Sequence, residues 1–104
     1  MSATATLAPA GAQPMRALER ANEVRLARAE LKRKVANGEV AAAEVILGCP
    51  WETDTMKVSE LLVSQHGWGA ERVRRILAQM PMSEAKRLGS MTDRQRHALA
   101  AMLT

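Results

Sequence analysis

Gly67-Trp68-Gly69 is followed within six residues by Arg72, Arg74 and Arg75, a Gly-x-Gly turn that leads into a basic stretch. Two glycines let a backbone approach a ligand without obstruction from Cβ, and the unpaired amides at the start of a following helix attract an anion. Guanidiniums beside such a turn hold neighbouring phosphates by charge-assisted hydrogen bonds. A plain tight turn uses the same glycines, so the arginines carry the distinction. Trp68 has two readings, packing down between the flanking helices or stacking on sugar and base. A second basic group, Lys86, Arg87, Arg94 and Arg96, gathers around the start of the last helix. Arg25, Arg28, Lys32, Arg33 and Lys34 extend the positive surface along the first helix, diluted by Glu23 and Glu30.

Other chemistry finds few residues. His66 and His97 stand apart, Cys49 has no basic neighbour in sequence, and no carboxylate pair suggests general acid and base work. One cysteine and two scattered histidines match no zinc spacing. The expectation is a non-enzymatic protein without catalytic residues, cofactor or metal, and without a small-molecule substrate.

The 104 residues carry a formal charge of +4 and are 47% hydrophobic, enough for one modest core. Charge is segregated along the chain. Residues 16–34 hold seven basic and three acidic side chains, residues 39–60 one and five, and residues 71–96 seven and three. This basic, acidic, basic order suits a partner such as nucleic acid, although a solvated surface shows similar blocks. The single cysteine fits a reducing compartment, and no apolar run approaches a bilayer span. A soluble cytoplasmic protein is expected, without membrane contact.

Aliphatic side chains dominate, with two Trp and no Phe or Tyr, a composition that favours helices. Residues 1–14 are Ala, Thr, Pro and Gly rich and uncharged, and read as a flexible tail. Val24, Ala27, Leu31 and Val35 mark one face of a long helix over 15–36, which Asn37-Gly38 stops. Val40, Ala43 and Leu47 predict a short second helix ended by Gly48-Cys49-Pro50, with a loop over 51–55. Val58, Leu61 and Leu62 give the buried face of a third helix over 57–64. Val73, Ile76, Leu77 and Met80 follow the helical period up to Pro81. Thr92-Asp93-Arg94-Gln95 reads as a capping box opening a last helix, with Leu99, Met102 and Leu103 inward.

Arg28-Ala29-Glu30-Leu31-Lys32, Met56-Lys57-Val58 with Leu61-Leu62, Gly67-Trp68-Gly69, and Asp93-Arg94-Gln95-Arg96 with Ala98-Leu99 occur in an order and spacing that resembles the actinobacterial integration host factor family. The likeness covers roughly residues 20–103. It implies an all-α fold: a long N-terminal helix followed by a helix-two-turn-helix domain over 39–104, similar to one in ribosomal protein S13. It also implies sequence-tolerant binding of double-stranded DNA, with bending or compaction, in the nucleoid and in support of a site-specific recombinase or integrase complex, phage integration included. Gly67 to Gly69 with Arg72 and Arg75 take the place of the family's phosphate-contacting turn, and Arg94 with Arg96 that of its C-terminal basic motif. Two positions depart from the family. Ala70 stands where a lysine usually follows the turn, and Gly89-Ser90-Met91-Thr92 stands where the family has Arg-Gly-Leu-Gly. Ser90 and Thr92 then join the expected DNA-binding set, and Thr92 brings a side-chain cap. A monomer is expected. The rival readings are an RNA-binding module and a protein-interaction factor docking through the acidic 39–60 segment. A glycosylase is disfavoured, because Ser2 follows Met1 where those relatives need an N-terminal proline.

Overall fold

The computed structural model describes the backbone of residues 2–104 and the side chains from residue 14 onward. Five helices follow in order: α1 (Ser2–Ala36), α2 (Ala42–Gly48), α3 (Val58–Val63), α4 (Ala70–Gln79) and α5 (Asp93–Leu103). Single 3-10 turns lie at Trp51–Thr53 and Leu88–Ser90. The all-α architecture expected from the sequence is the one found. The tail read over residues 1–14 falls, save for Pro14, outside the described side chains.

The periodic apolar residues decide which faces turn inward. Leu31 and Val35 of α1 are buried, with Val24 and Ala27 half-buried on the same stripe. They meet Val45 and Ile46 of α2, Val58, Leu61 and Leu62 of α3, Val73 and Leu77 of α4, and Leu99 of α5 in one core. Full burial of one such side chain contributes about 1.5–3 kcal/mol. That contribution is needed here, because α2 and α3 are far too short to hold together alone. At the end of α1 the Lys34 carbonyl accepts from the Glu39 amide at 2.9 Å, and Gly38 adopts φ +78°, so the chain turns back sharply.

Two expectations need correction. The second helix begins two residues later than its apolar stripe suggests, because Glu39 and Val40 are still bonded to the last turn of α1. Of the expected stripe, Ala43 is buried and Val40 packs against the core, whereas Leu47 is 48% exposed and Ala42, Val45 and Ile46 complete the buried face. The segment after Pro50 is a 3-10 turn rather than an open loop, closed where the Thr53 amide donates to the Pro50 carbonyl at 2.8 Å.

Long-range polar contacts lock the short elements in place. The Val58 amide donates to the Lys86 carbonyl at 2.8 Å, and Leu88 donates to Met56 at 2.9 Å. A single antiparallel bridge between Lys57 and Arg87 results. The Gly89 amide donates to the Asp54 carbonyl at 2.9 Å. A Cβ at Gly89 would stand 2.5 Å from that same carbonyl oxygen, so the contact requires glycine. The Arg20 guanidinium lies 4.5 Å from the centre of the Trp51 ring and ties α1 to the first 3-10 turn.

Candidate nucleic-acid interface

The turn between α3 and α4 depends on Gly67. Gly67 has φ +78°, a conformation in which a side chain is strained, and the Trp68 amide closes the turn on the Gln65 carbonyl at 3.1 Å. Gly69 is the N-cap of α4 in extended backbone, and no side chain caps the helix there. The first amides of α4 therefore face outward without an intrahelical partner. An added Cβ at Gly67 or Gly69 would meet nothing within 4 Å, so the space above the turn is open.

Three arginines follow the turn, and the structure separates them. Arg74 pairs with Glu71 at 2.7 Å and with Glu84 at 3.6 Å. Arg72 and Arg75 are exposed and have no carboxylate partner among the described residues. Arg72 instead lies over the indole of Trp68, 4.1 Å from its centroid. Trp68 itself is half-buried against the core, in line with the packing reading.

The second basic group divides in the same way. Arg96 donates to the Ile46 carbonyl at 2.9 Å and to the Leu88 carbonyl at 2.6 Å, so its charge serves as a clamp between α5, the end of α2 and the second 3-10 turn. Arg87 donates to the Thr55 carbonyl, and its own carbonyl accepts from the Ser90 hydroxyl at 3.0 Å. Thr92 forms a reciprocal capping box with Gln95, with bonds of 3.1 and 2.9 Å, which occupies its hydroxyl and part of the amide set at the start of α5. The unpaired amides expected there are thus partly satisfied internally. Arg94 is exposed and unpaired among the described residues, at the rim of a shallow apolar hollow of about 320 Å³ lined by Met80, Pro81, Met82 and Ala98. Lys86 is half-buried, with no ion pair among the described residues.

On α1 four of the five expected cations have an intramolecular partner, while Lys34 has no ion pair among the described residues. Arg25 donates to Asn22 at 2.7 Å and Arg28 to the Glu52 carbonyl at 2.7 Å and to Thr55. Lys32 pairs with Glu60 at 2.9 Å, and Arg33 pairs with Glu30 at 2.7 Å and Glu39 at 3.4 Å. Sequence reasoning missed Lys57, counted as the lone cation of the acidic segment. The bridge pairs its backbone with Arg87 of the second basic group. Its place in the Met56-Lys57-Val58 stretch was the available signal.

Arg94 is not brought to the turn. Gly69 opens α4, while Gln79 and Met80 at its other end line the hollow that Arg94 borders. Ten residues of α-helix rise about 15 Å. Likewise Trp68 lies near Leu103 at the end of α5, and Arg94 at its beginning.

A long helix leading into two short helical hairpins, with an uncapped helix start and unpaired cations at one turn, defines a small helix-two-turn-helix protein. The chain belongs to the actinobacterial integration host factor family. It is 37% identical over 87 residues to the integration host factor of Mycolicibacterium smegmatis, covering 80% of this chain and 81% of that one. Against the integration host factor of Mycobacterium tuberculosis it is 36% identical over 87 residues, with the same coverage. A solved structure described as sIHF bound to an 8-bp palindromic DNA superposes with a TM-score of 0.75 at 30% identity, covering 83% of this chain and 99% of that chain. No protein-family model matches the sequence. No helix of the described residues is long and apolar enough to cross a membrane.

Proposed function

We propose that this chain grips the phosphate backbone of duplex DNA without reading its bases, and bends or compacts the DNA as a non-catalytic accessory protein of the nucleoid. The observation that carries this reading is the start of α4: an open glycine turn, outward-facing amides without a side-chain cap, and two cations with no carboxylate partner, Arg72 and Arg75. Such a helix start is an anion site, and backbone amides recognise phosphate at any sequence. Membership of the integration host factor family and the DNA-bound neighbour support the same conclusion. Lys57, Lys86 and Arg94 form the second contact. Arg28, Lys32, Arg33 and Arg96 are structural in this reading, since each is already held within the fold. The protein acts as a monomer, and any site-specific recombinase it assists meets it on shaped DNA.

The test is a salt series of affinity for a duplex of about 20 base pairs. Arg72, Arg75, Lys57, Lys86 and Arg94 at the two contacts lead to a slope of log affinity on log salt of about −4 to −5, which Arg72→Ala and Arg94→Ala each flatten by about 0.9. A shallow slope indifferent to both replacements would remove the mechanism.

A further inference from the structure

Arg72 occupies an electrostatically awkward place. It is the third residue of α4, where the helix dipole is positive and a cation is disfavoured. The nearest acidic residue in sequence, Glu71, has its carboxylate on Arg74 at 2.7 Å, so Arg72 draws nothing from it. What holds the guanidinium is the Trp68 ring, 4.1 Å from its centre. The ring is held in turn by its packing against the core. Long side chains on a helix lean back toward its N-terminus, which brings Arg72 over the residue four positions before it.

We infer that Trp68 is a positioning residue for DNA binding: its π-face holds Arg72 at the uncapped start of α4, so that cation and the first amides of that helix meet one phosphate together. The inference rests on the phosphate grip proposed above and deepens it. Trp68 acts through Arg72 and need not touch DNA. A cation held in advance at the positive end of a helix loses less side-chain freedom on binding than a free one, and the incoming phosphate relieves its repulsion from the dipole.

The experiment compares the wild type with Trp68→Phe, Trp68→Leu, Arg72→Ala and the Leu/Ala double variant, by duplex affinity at one low salt concentration. Trp68→Leu keeps an apolar packing group but no π-face, and weakens binding about three- to tenfold. Trp68→Phe recovers part of that. In the Arg72→Ala background, Trp68→Leu causes no further loss. Without DNA, the Arg72 δ-protons are shifted upfield by the indole ring current in the wild type and return to ordinary positions in Trp68→Leu. A loss from Trp68→Leu that persists undiminished in the Arg72→Ala background overturns the inference, as does normal binding by Trp68→Leu. If Arg72→Ala itself binds normally, the phosphate grip fails and the inference falls with it. If Arg72→Ala is impaired while Trp68→Leu is not, the positioning role alone is lost.

Discussion

Arg94 and Arg96 show how two like residues, two positions apart, take opposite roles. Residues at i and i+2 do not share a helix face, so when Leu99 and the core fix the rotation of α5, one arginine turns to solvent and the other inward. Arg96 then meets the Ile46 carbonyl, one of those left unpaired at the end of α2, and the Leu88 carbonyl. Arg96→Ala is therefore expected to destabilise the fold by about 1.5–3 kcal/mol, read as a fall in Tm, while leaving the salt slope of the folded fraction unchanged. A flattened slope with normal stability would assign Arg96 to the DNA instead. The composition of the basic motif was legible in the sequence; the partition was not, because it depends on carbonyls 50 and 8 residues away. A smaller effect lies at the end of α1. The Arg33 guanidinium, mainly through its hydrogen bond, holds the Glu30 carboxyl below its ordinary range. A depressed carboxyl stabilises fully above the ordinary glutamate range, and that contribution is lost as pH falls through the lowered value. Both groups are exposed, so the contribution is small. An NMR titration should place the Glu30 midpoint below the ordinary value, and Arg33→Ala should move it upward; an unmoved midpoint would contradict the pairing.

At the scale of elements, the starts of α4 and α5 are a matched contrast. Thr92 and Gln95 close the start of α5 with a capping box, whereas Gly69 leaves the start of α4 open. Gly69 has no conformational need to be glycine, since its φ is −91° and a Cβ would meet nothing. A glycine in this uncapped position leaves the first amides of α4 open to a ligand. Gly69→Asp should fold with stability within a few tenths of a kcal/mol of the wild type, because aspartate caps well. It should nonetheless lose at least tenfold in duplex affinity, since the carboxylate occupies the amides and repels phosphate. Thr92→Ala should behave in the reverse sense, costing about 1 kcal/mol of stability with little change in affinity. Calorimetric melts and anisotropy titrations of the two variants separate these outcomes, and equal affinity for Gly69→Asp would show that the amides are not used. Most of this level was readable beforehand: the faces of α3, α4 and α5 followed from their periodic apolar residues, and the capping box from its spacing. The second helix was readable only in part: Ala43 and Val40 do face the core, but the bonds from α1 delay its start and Leu47 is exposed.

For the whole molecule, the separation of Arg94 from the Gly67 to Gly69 turn along α4, about 15 Å, sets a length scale on the DNA. At about 3.4 Å per nucleotide along a strand, one duplex must offer four to five base pairs to reach from Arg72 to Arg94. Affinity should rise steeply until the duplex is long enough to reach both, and only gradually beyond. The penalty of Arg94→Ala should be absent for the shortest duplexes and present for longer ones. A penalty independent of length would place the two groups on separate duplexes.

The antiparallel bridge between Lys57 and Arg87 has a kinetic side. Helix α3 has six residues and no side-chain cap, and its first amide is bonded to Lys86, 28 residues later in the chain. A helix of that length cannot persist before the distant segment arrives, so the glycine turn that follows α3 takes shape only after residues 86–88 have docked. Refolding should show the turn and the last helix ordering in a single phase. A protease nick between Pro81 and Glu84, far from the turn in sequence, should unravel it.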